Sequence, residues 1–213
     1  MHGVRTASAM LAASAALIML GGCAGGGTAG GGTGGDDWVP PLPAVVTEVH
    51  AVGTVLDDGA GPELCLGPIA ESYPPQCGGP PVAGWDWDAV EGDEAASGVT
   101  WGAYAVWGDW DGETFTITRE PIPAALYDPM VDPDAPNPWD ESLPAGPLSE
   151  SEAADTQAEL DAAVPGLLAV SSVNGRVVVE VRFDDGSLQA AADERFGEDA
   201  VVVISQLTPV DDA

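Results

Sequence analysis

Beyond residue 37 the apolar positions fall into two blocks with different periodicities. In the first, residues 44–56 are rich in valine and threonine and predict a long strand, with Gly53 as a bulge or bend. Asp57-Asp58-Gly59 turns the chain into a short strand over 63–66. Four prolines and two glycines in 72–81 exclude helix or central strand, so this is a rigid loop. Residues 82–90 and 99–109 read as strands, joined through the turn signal Asp111-Gly112 to a strand over 114–119. Alternation there puts Phe115 and Ile117 inward and Thr114, Thr116 and Thr118 outward. By the same rule Trp101 and Trp107 share a parity with Val99, Ala103 and Ala105 and are expected to point inward together.

The second block changes period. Ser149 with Glu152 three residues on is a capping-box pattern that opens a helix running to about Val164, before Pro165-Gly166. Residues 167–173 and 176–183 flank Asn174-Gly175 and predict a two-residue hairpin. A second helix over 187–196 stops at Gly197. The continuous apolar run 200–207 reads as a central strand. Between the blocks, residues 121–147 hold eight prolines among acidic residues and form an extended linker, with Tyr127 and Trp139 available to pin it. The fold class is therefore α+β. A small all-β barrel similar to an OB-fold, or alternatively a small sandwich, spans 38–122, a linker 123–148, and an α-β-β-α-β domain 149–213.

The N-terminus carries an address. Residues 7–20 are apolar and uncharged, too short to span a bilayer and suited to a signal-peptide core, with Arg5 ahead of them. The run ends Leu20-Gly21-Gly22-Cys23, which resembles the lipobox of bacterial lipoproteins. That resemblance implies a signal peptide over 1–22, cleavage before Cys23, and a diacylglycerol (palmitate-type) modification of its thiol. Its partner would be membrane lipid, on the extracytoplasmic face. Residues 24–35 are glycine-rich with Thr and Ala and make the 23–37 segment a flexible tether reaching about 20 Å. The stretch from Leu64 to Trp87 and the ending from Gly197 to Pro209 also resemble exported lipoproteins of high-GC Gram-positive bacteria, a likeness that brings no biochemical activity with it. Of three cysteines, Cys23 is assigned to lipid, which leaves Cys65 and Cys77 for one disulfide in an oxidising compartment. Two thiolates and His50, the one histidine beyond the extreme N-terminus, make an incomplete zinc set.

Charge then removes whole classes of function. The formal net charge is −30, and all five basic residues are arginine. Without lysine there is neither a P-loop nor a Schiff-base amine. Nucleic acid is excluded as a partner, because neutralising phosphates takes Lys and Arg. Removing 1–22 leaves four arginines against 35 acids, a formal −31. The excess keeps the chain off anionic polymers and makes the fold self-repelling.

Few residues remain to carry chemistry. His50, on the first strand, lacks a Gly-x-Ser-x-Gly elbow elsewhere and reads as structural. No cofactor fingerprint is present. Asp109, Asp111, Glu113 and Glu120 approach an EF-hand spacing, but Thr114 stands where the sharp turn requires glycine. Asp128, Asp132, Asp134, Asn137 and Asp140 could gather calcium, although a solvated acidic linker accounts for them. Five of seven tryptophans lie within 85–110, interleaved with Asp86, Asp88, Asp109 and Asp111. Aromatic faces beside carboxylates suit sugar recognition, and Trp85, Trp87, Trp110, Asp109 and Asp111 are the candidate ligand-binding residues, with Trp110 the most exposed; core filling is the competing account. Three functions follow: a non-catalytic binding or accessory module of the cell envelope that engages an envelope protein or polysaccharide; an enzyme acting on envelope polysaccharide through a carboxylate pair; or a calcium-stabilised surface protein.

Overall fold

Val49, Ala51 and Val55 alternate with His50, Val52 and Thr54, so strand β1 (Val49–Asp57) buries one side in a core and turns the other outward. The computed structural model describes residues 38–41, 43, 47–129, 137–140 and 142–210. After β1 come β2 (Pro62–Cys65), β3 (Val82–Ala83), β4 (Glu94–Ala96), β5 (Val99–Trp110), β6 (Phe115–Ile117) and β7 (Ile122–Pro123). Helix α1 (Glu150–Ala163), β8 (Leu167–Val173), β9 (Arg176–Val181), α2 (Ser187–Phe196), β10 (Val201–Ser205) and β11 (Thr208–Pro209) complete the chain order.

β1 runs antiparallel to β5 along its whole length, from Val49 opposite Gly108 to Asp57 opposite Thr100. Its second half also pairs with β2. β5 continues to β6, and β6 lies parallel to β3. A bridge joins Glu63 to Pro81, and the Leu64 N–H donates to the Pro80 carbonyl at 2.9 Å. The path β1-β2-β3-β6-β5 thereby returns to β1, and the sheet is nearly closed into a barrel. Its interior holds Val49, Val55, Leu64, Tyr104, Val106 and Phe115, with Leu207 and Phe183 contributed from the C-terminal block.

The second sheet has β9 in the middle, antiparallel to β8 and parallel to β10. Asn174 and Gly175 both have positive φ (46° and 76°), as a two-residue hairpin requires. The Ser149 and Glu152 side chains cap α1 reciprocally. Leu160, Leu188 and Ala192 from the helices cover Val177, Val179 and Val181 of β9. The described residues belong to one compact unit, Gly34–Ala213. The two blocks are joined by β11, which pairs with β1, as well as by the shared core.

Several sequence expectations are corrected. Residues 82–90 are a strand only at Val82–Ala83, because Gly84 takes φ +80° and Asp86 caps a short 3-10 turn, Trp87–Ala89. On β5 the inward set is Tyr104, Val106 and Trp110, and Trp101 and Trp107 lie on the opposite face. That face is apolar because other elements cover it: the disulfide over Trp101, β7 beside Ala105, and Tyr127 on Trp107. Gly53 is no bulge, since pairing with β5 runs through it without a shift. A Cβ at that position would stand 3.0 Å from the Cys65 carbonyl oxygen, so the glycine admits β2 close to β1. β10 lies at the margin of its sheet, not the centre. Its outer groups are covered by Gln189, whose Oε1 accepts from the Val203 N–H (2.8 Å) and whose Nε2 donates to the Val201 carbonyl (3.0 Å).

Candidate functional site

Cys65 and Cys77 form a disulfide with Cα atoms 5.8 Å apart. Cys65, Leu56 and Trp101 make a small buried cluster, with Cys77 packed against it. The bridge ties the proline-rich loop to β2, and Tyr73 in that loop stands edge-on to Trp101 at 5.3 Å. Cys23, the leader and the tether lie outside the described residues.

The tryptophans do not form a stacking platform. Trp110 is buried, 4% exposed, and belongs to the barrel core, which corrects its expected exposure. Trp85 and Trp87 meet edge to face at 5.2 Å, and Trp85 meets Tyr104 at 5.0 Å. Both indole Nε1 atoms are buried without an acceptor. The pair packs against the barrel core where β3 ends. Asp86, Asp88, Asp109 and Asp111 are all exposed. Asp86 accepts from the Asp88 N–H, and Asp111 Oδ1 accepts from the N–H groups of Glu113 (2.9 Å) and Thr114 (2.7 Å). Those two backbone donors, Thr114 first, hold the Asp111 carboxyl below its ordinary range. Both carboxylates therefore shape turns.

His50 is wedged between Trp107 (4.9 Å) and Tyr127 (5.2 Å), and its Nε2 is buried with no partner. Burial pushes its pKa down, favouring the neutral ring. Beside it, hydrogen bonds from Thr118 and Arg119 hold the Glu48 carboxyl below the usual range. The cluster anchors Tyr127 at the start of the linker. Trp139, the other residue expected to pin the linker, is half exposed. The linker's far end is clamped to the β8–β9 turn: Arg176 Nη1 donates to the Pro144 carbonyl (2.7 Å), and the Leu148 N–H donates to that of Gly175 (3.1 Å).

Asp132 and Asp134, two of the calcium candidates, lie outside the described residues. Asp140 is a turn residue whose carboxyl is held low by Ser142. Among the described residues no three His, Cys, Asp or Glu side chains gather as metal ligands, and no helix is long and apolar enough to cross a membrane.

Two clefts carry no local signal in the sequence. One, of about 300 Å³, lies between the 111–114 turn and the end of α1, lined among the described residues by Trp110, Gly112, Pro165, Gly166, Arg182 and Phe183, with Pro43 at its border. The other, of about 420 Å³, is a shallow groove on the outer barrel wall that includes Val52, Ile69 and Ala103, with Glu180 at one side. The rarity of basic residues was the one signal that could have drawn attention to Arg182.

Arginine–carboxylate pairs among the described residues are Arg119–Glu48 and Arg195–Glu159, so most acids face solvent without a cation. Screening this self-repulsion is expected to raise the melting temperature between low salt and about 0.5 M NaCl. A flat or falling melting temperature would contradict that account of the surface.

No protein-family model, curated protein or solved structure matches the chain.

Proposed function

We propose that the chain is an exported lipoprotein, anchored to the membrane through acylated Cys23, whose folded part is a non-catalytic binding or accessory module of the cell envelope. The observation that carries this reading is the Cys65–Cys77 bridge. It uses both cysteines left once the lipobox cysteine is set aside, as an oxidising compartment allows. The glycine-rich segment after Cys23 supports it too, because a tether is what a module needs to stand clear of headgroups. Two or three acyl chains, at about 0.8 kcal/mol per buried methylene, suffice for stable anchoring.

The module itself we read as an OB-like barrel over 38–122 followed by an α-β-β-α-β domain over 149–213. Support comes from the ring order β1-β2-β3-β6-β5 with its single parallel pair, β3–β6, and from β1 serving as the long strand shared by β2 and β5. In OB-folds the loops joining the first two strands and the last two border the ligand. The corresponding turns here are 58–61 and 111–114.

The test is chemical. Intact-mass measurement of the membrane fraction should find a chain starting at Cys23 and carrying diacylglycerol. Cys23→Ser should leave the leader uncut and the polypeptide without acyl mass. Unmodified Cys23 in the native protein would refute the anchor.

A further inference from the structure

We propose that the cleft beside the 111–114 turn binds a small organic anion, a carboxylate carried on an apolar body, through Arg182. The inference deepens the binding-module reading by naming a ligand class and rests on that reading, but it is independent of lipid at Cys23.

The arginines are unequally partnered. Arg119 meets Glu48, Arg195 meets Glu159, and buried Arg176 donates to the Pro144 carbonyl. Arg182 has no carboxylate at ion-pair distance among the described residues, and its Nε is buried with no acceptor. In a chain with 35 acids a carboxylate partner is easily supplied. A buried guanidinium N–H left without an acceptor is a costly arrangement, and the Nη1 end of the same group lies beside Gly166 in the cleft lining, where an incoming oxygen can reach it.

The shape of the cleft suits a small ligand. The cleft, about 300 Å³, sits at the lower end of the range of small-molecule pockets, roughly 300–1,000 Å³. Trp110, Phe183 and Pro165 give it apolar walls, and among the described residues no acidic side chain lines it. Gly166, with φ +69°, leaves the guanidinium uncovered: a Cβ there would stand 3.2 Å from Arg182 Nη1. Asp111 adjoins the cleft in sequence, but its Oδ1 is engaged by the N–H groups of its own turn.

Chemistry then selects the ligand. A guanidinium offers parallel N–H donors that match the two oxygens of a carboxylate. The surrounding negative charge disfavours anions held by charge alone, so an inorganic anion lacks what an aryl or alkyl acid gains against Trp110 and Phe183. Such a carboxylate belongs either to a free organic acid or to the C-terminus of a peptide.

The full chain, nitrogen-labelled, allows a direct test, because its five arginines give only five side-chain Nε–H signals in a proton–nitrogen spectrum. Phenylacetate and a tripeptide ending in phenylalanine, with free or amidated carboxyl groups, are titrated in parallel with inorganic phosphate. The signal that disappears in Arg182→Gln should move with one or both carboxylates, and their amides should bind about ten-fold or more weakly, the loss of one charge-assisted pair. Which of the two binds identifies the source. No movement up to about 10 mM of either acid, equal binding of acid and amide, or equal binding of phosphate overturns the proposal. If Arg182→Gln fails to fold, the Arg119→Gln and Arg195→Gln spectra narrow the assignment and the acid–amide comparison in the native chain decides. None of these readouts depends on the lipid, so failure here leaves the anchor standing and an unmodified Cys23 leaves this test intact.

Discussion

Replacing Cys65 and Cys77 together by alanine is expected to lower stability by about 3 kcal/mol, and the melting temperature by about 6–12 °C for a unit of this size. The bridge closes a short loop, with a sequence separation of 12, and an open chain over the same residues gains entropy on unfolding. Position adds to the effect. Cys65 is buried on β2, and Cys77 fills space against Trp101 and Leu56, so truncation also removes contacts in the small cluster outside the barrel. The loop has little else to hold it: one bridge between Ala70 and Gln76, the edge contact of Tyr73 on Trp101, and a long hydrogen bond from the Tyr73 hydroxyl to Glu94 (3.5 Å). Limited proteolysis should accordingly cut the variant first within 67–76 while the barrel persists. A melting temperature within about 2 °C of the native protein would mean that the prolines alone keep the loop in place.

What could be read from the sequence was local. Asn174-Gly175 demands its turn, Ser149 and Glu152 demand their cap, and both occur where the residues alone place them. Phe115 and Ile117 face inward as alternation predicts, because β6 has a solvated outer side marked by threonines. The errors arise where a strand is covered on both sides. Trp101 and Trp107 look like core residues by parity, and each is indeed covered, but by the disulfide cluster and by the His50–Tyr127 pair on the barrel's outer wall. The apolar run ending in β10 reads as central for the same reason, although the cover on its free edge is a helix side chain, Gln189. Longer-range features left no local trace. β11 returns to β1 from the far end of the chain, and Leu207 and Phe183 enter the barrel core, so the boundary between blocks is visible in composition while their junction is not. The cleft at Arg182 belongs to this category, since the turn at 111–114 and the end of α1 meet only in the folded chain.

Gly79→Ala is expected to destabilise the fold by about 2–5 kcal/mol, whereas Gly78→Ala, one residue earlier, should be neutral or slightly stabilising. Neither glycine has positive φ, so the contrast is one of space and not of backbone preference. At Gly78 an added methyl meets nothing within 4 Å. At Gly79 it would overlap the Leu64 carbonyl and come within 3.2 Å of the Cys65 nitrogen, both backbone atoms of β2. β2 cannot withdraw, because Leu64 and Cys65 are paired on their other side with Val55 and Thr54 of β1. The chain at 79–81 must retreat instead, which pulls the Pro80 carbonyl from the Leu64 N–H and parts Pro81 from Glu63. Those contacts are what link β2 to β3, so the substitution opens the barrel at its narrowest closure and exposes the core beside Leu64 and Val82. Urea unfolding of the two variants measures the difference directly, and hydrogen exchange at the Leu64 amide should quicken in Gly79→Ala alone. Equal stability of the pair would show that the sheet tolerates an open edge there and that the barrel's closure contributes little to the fold.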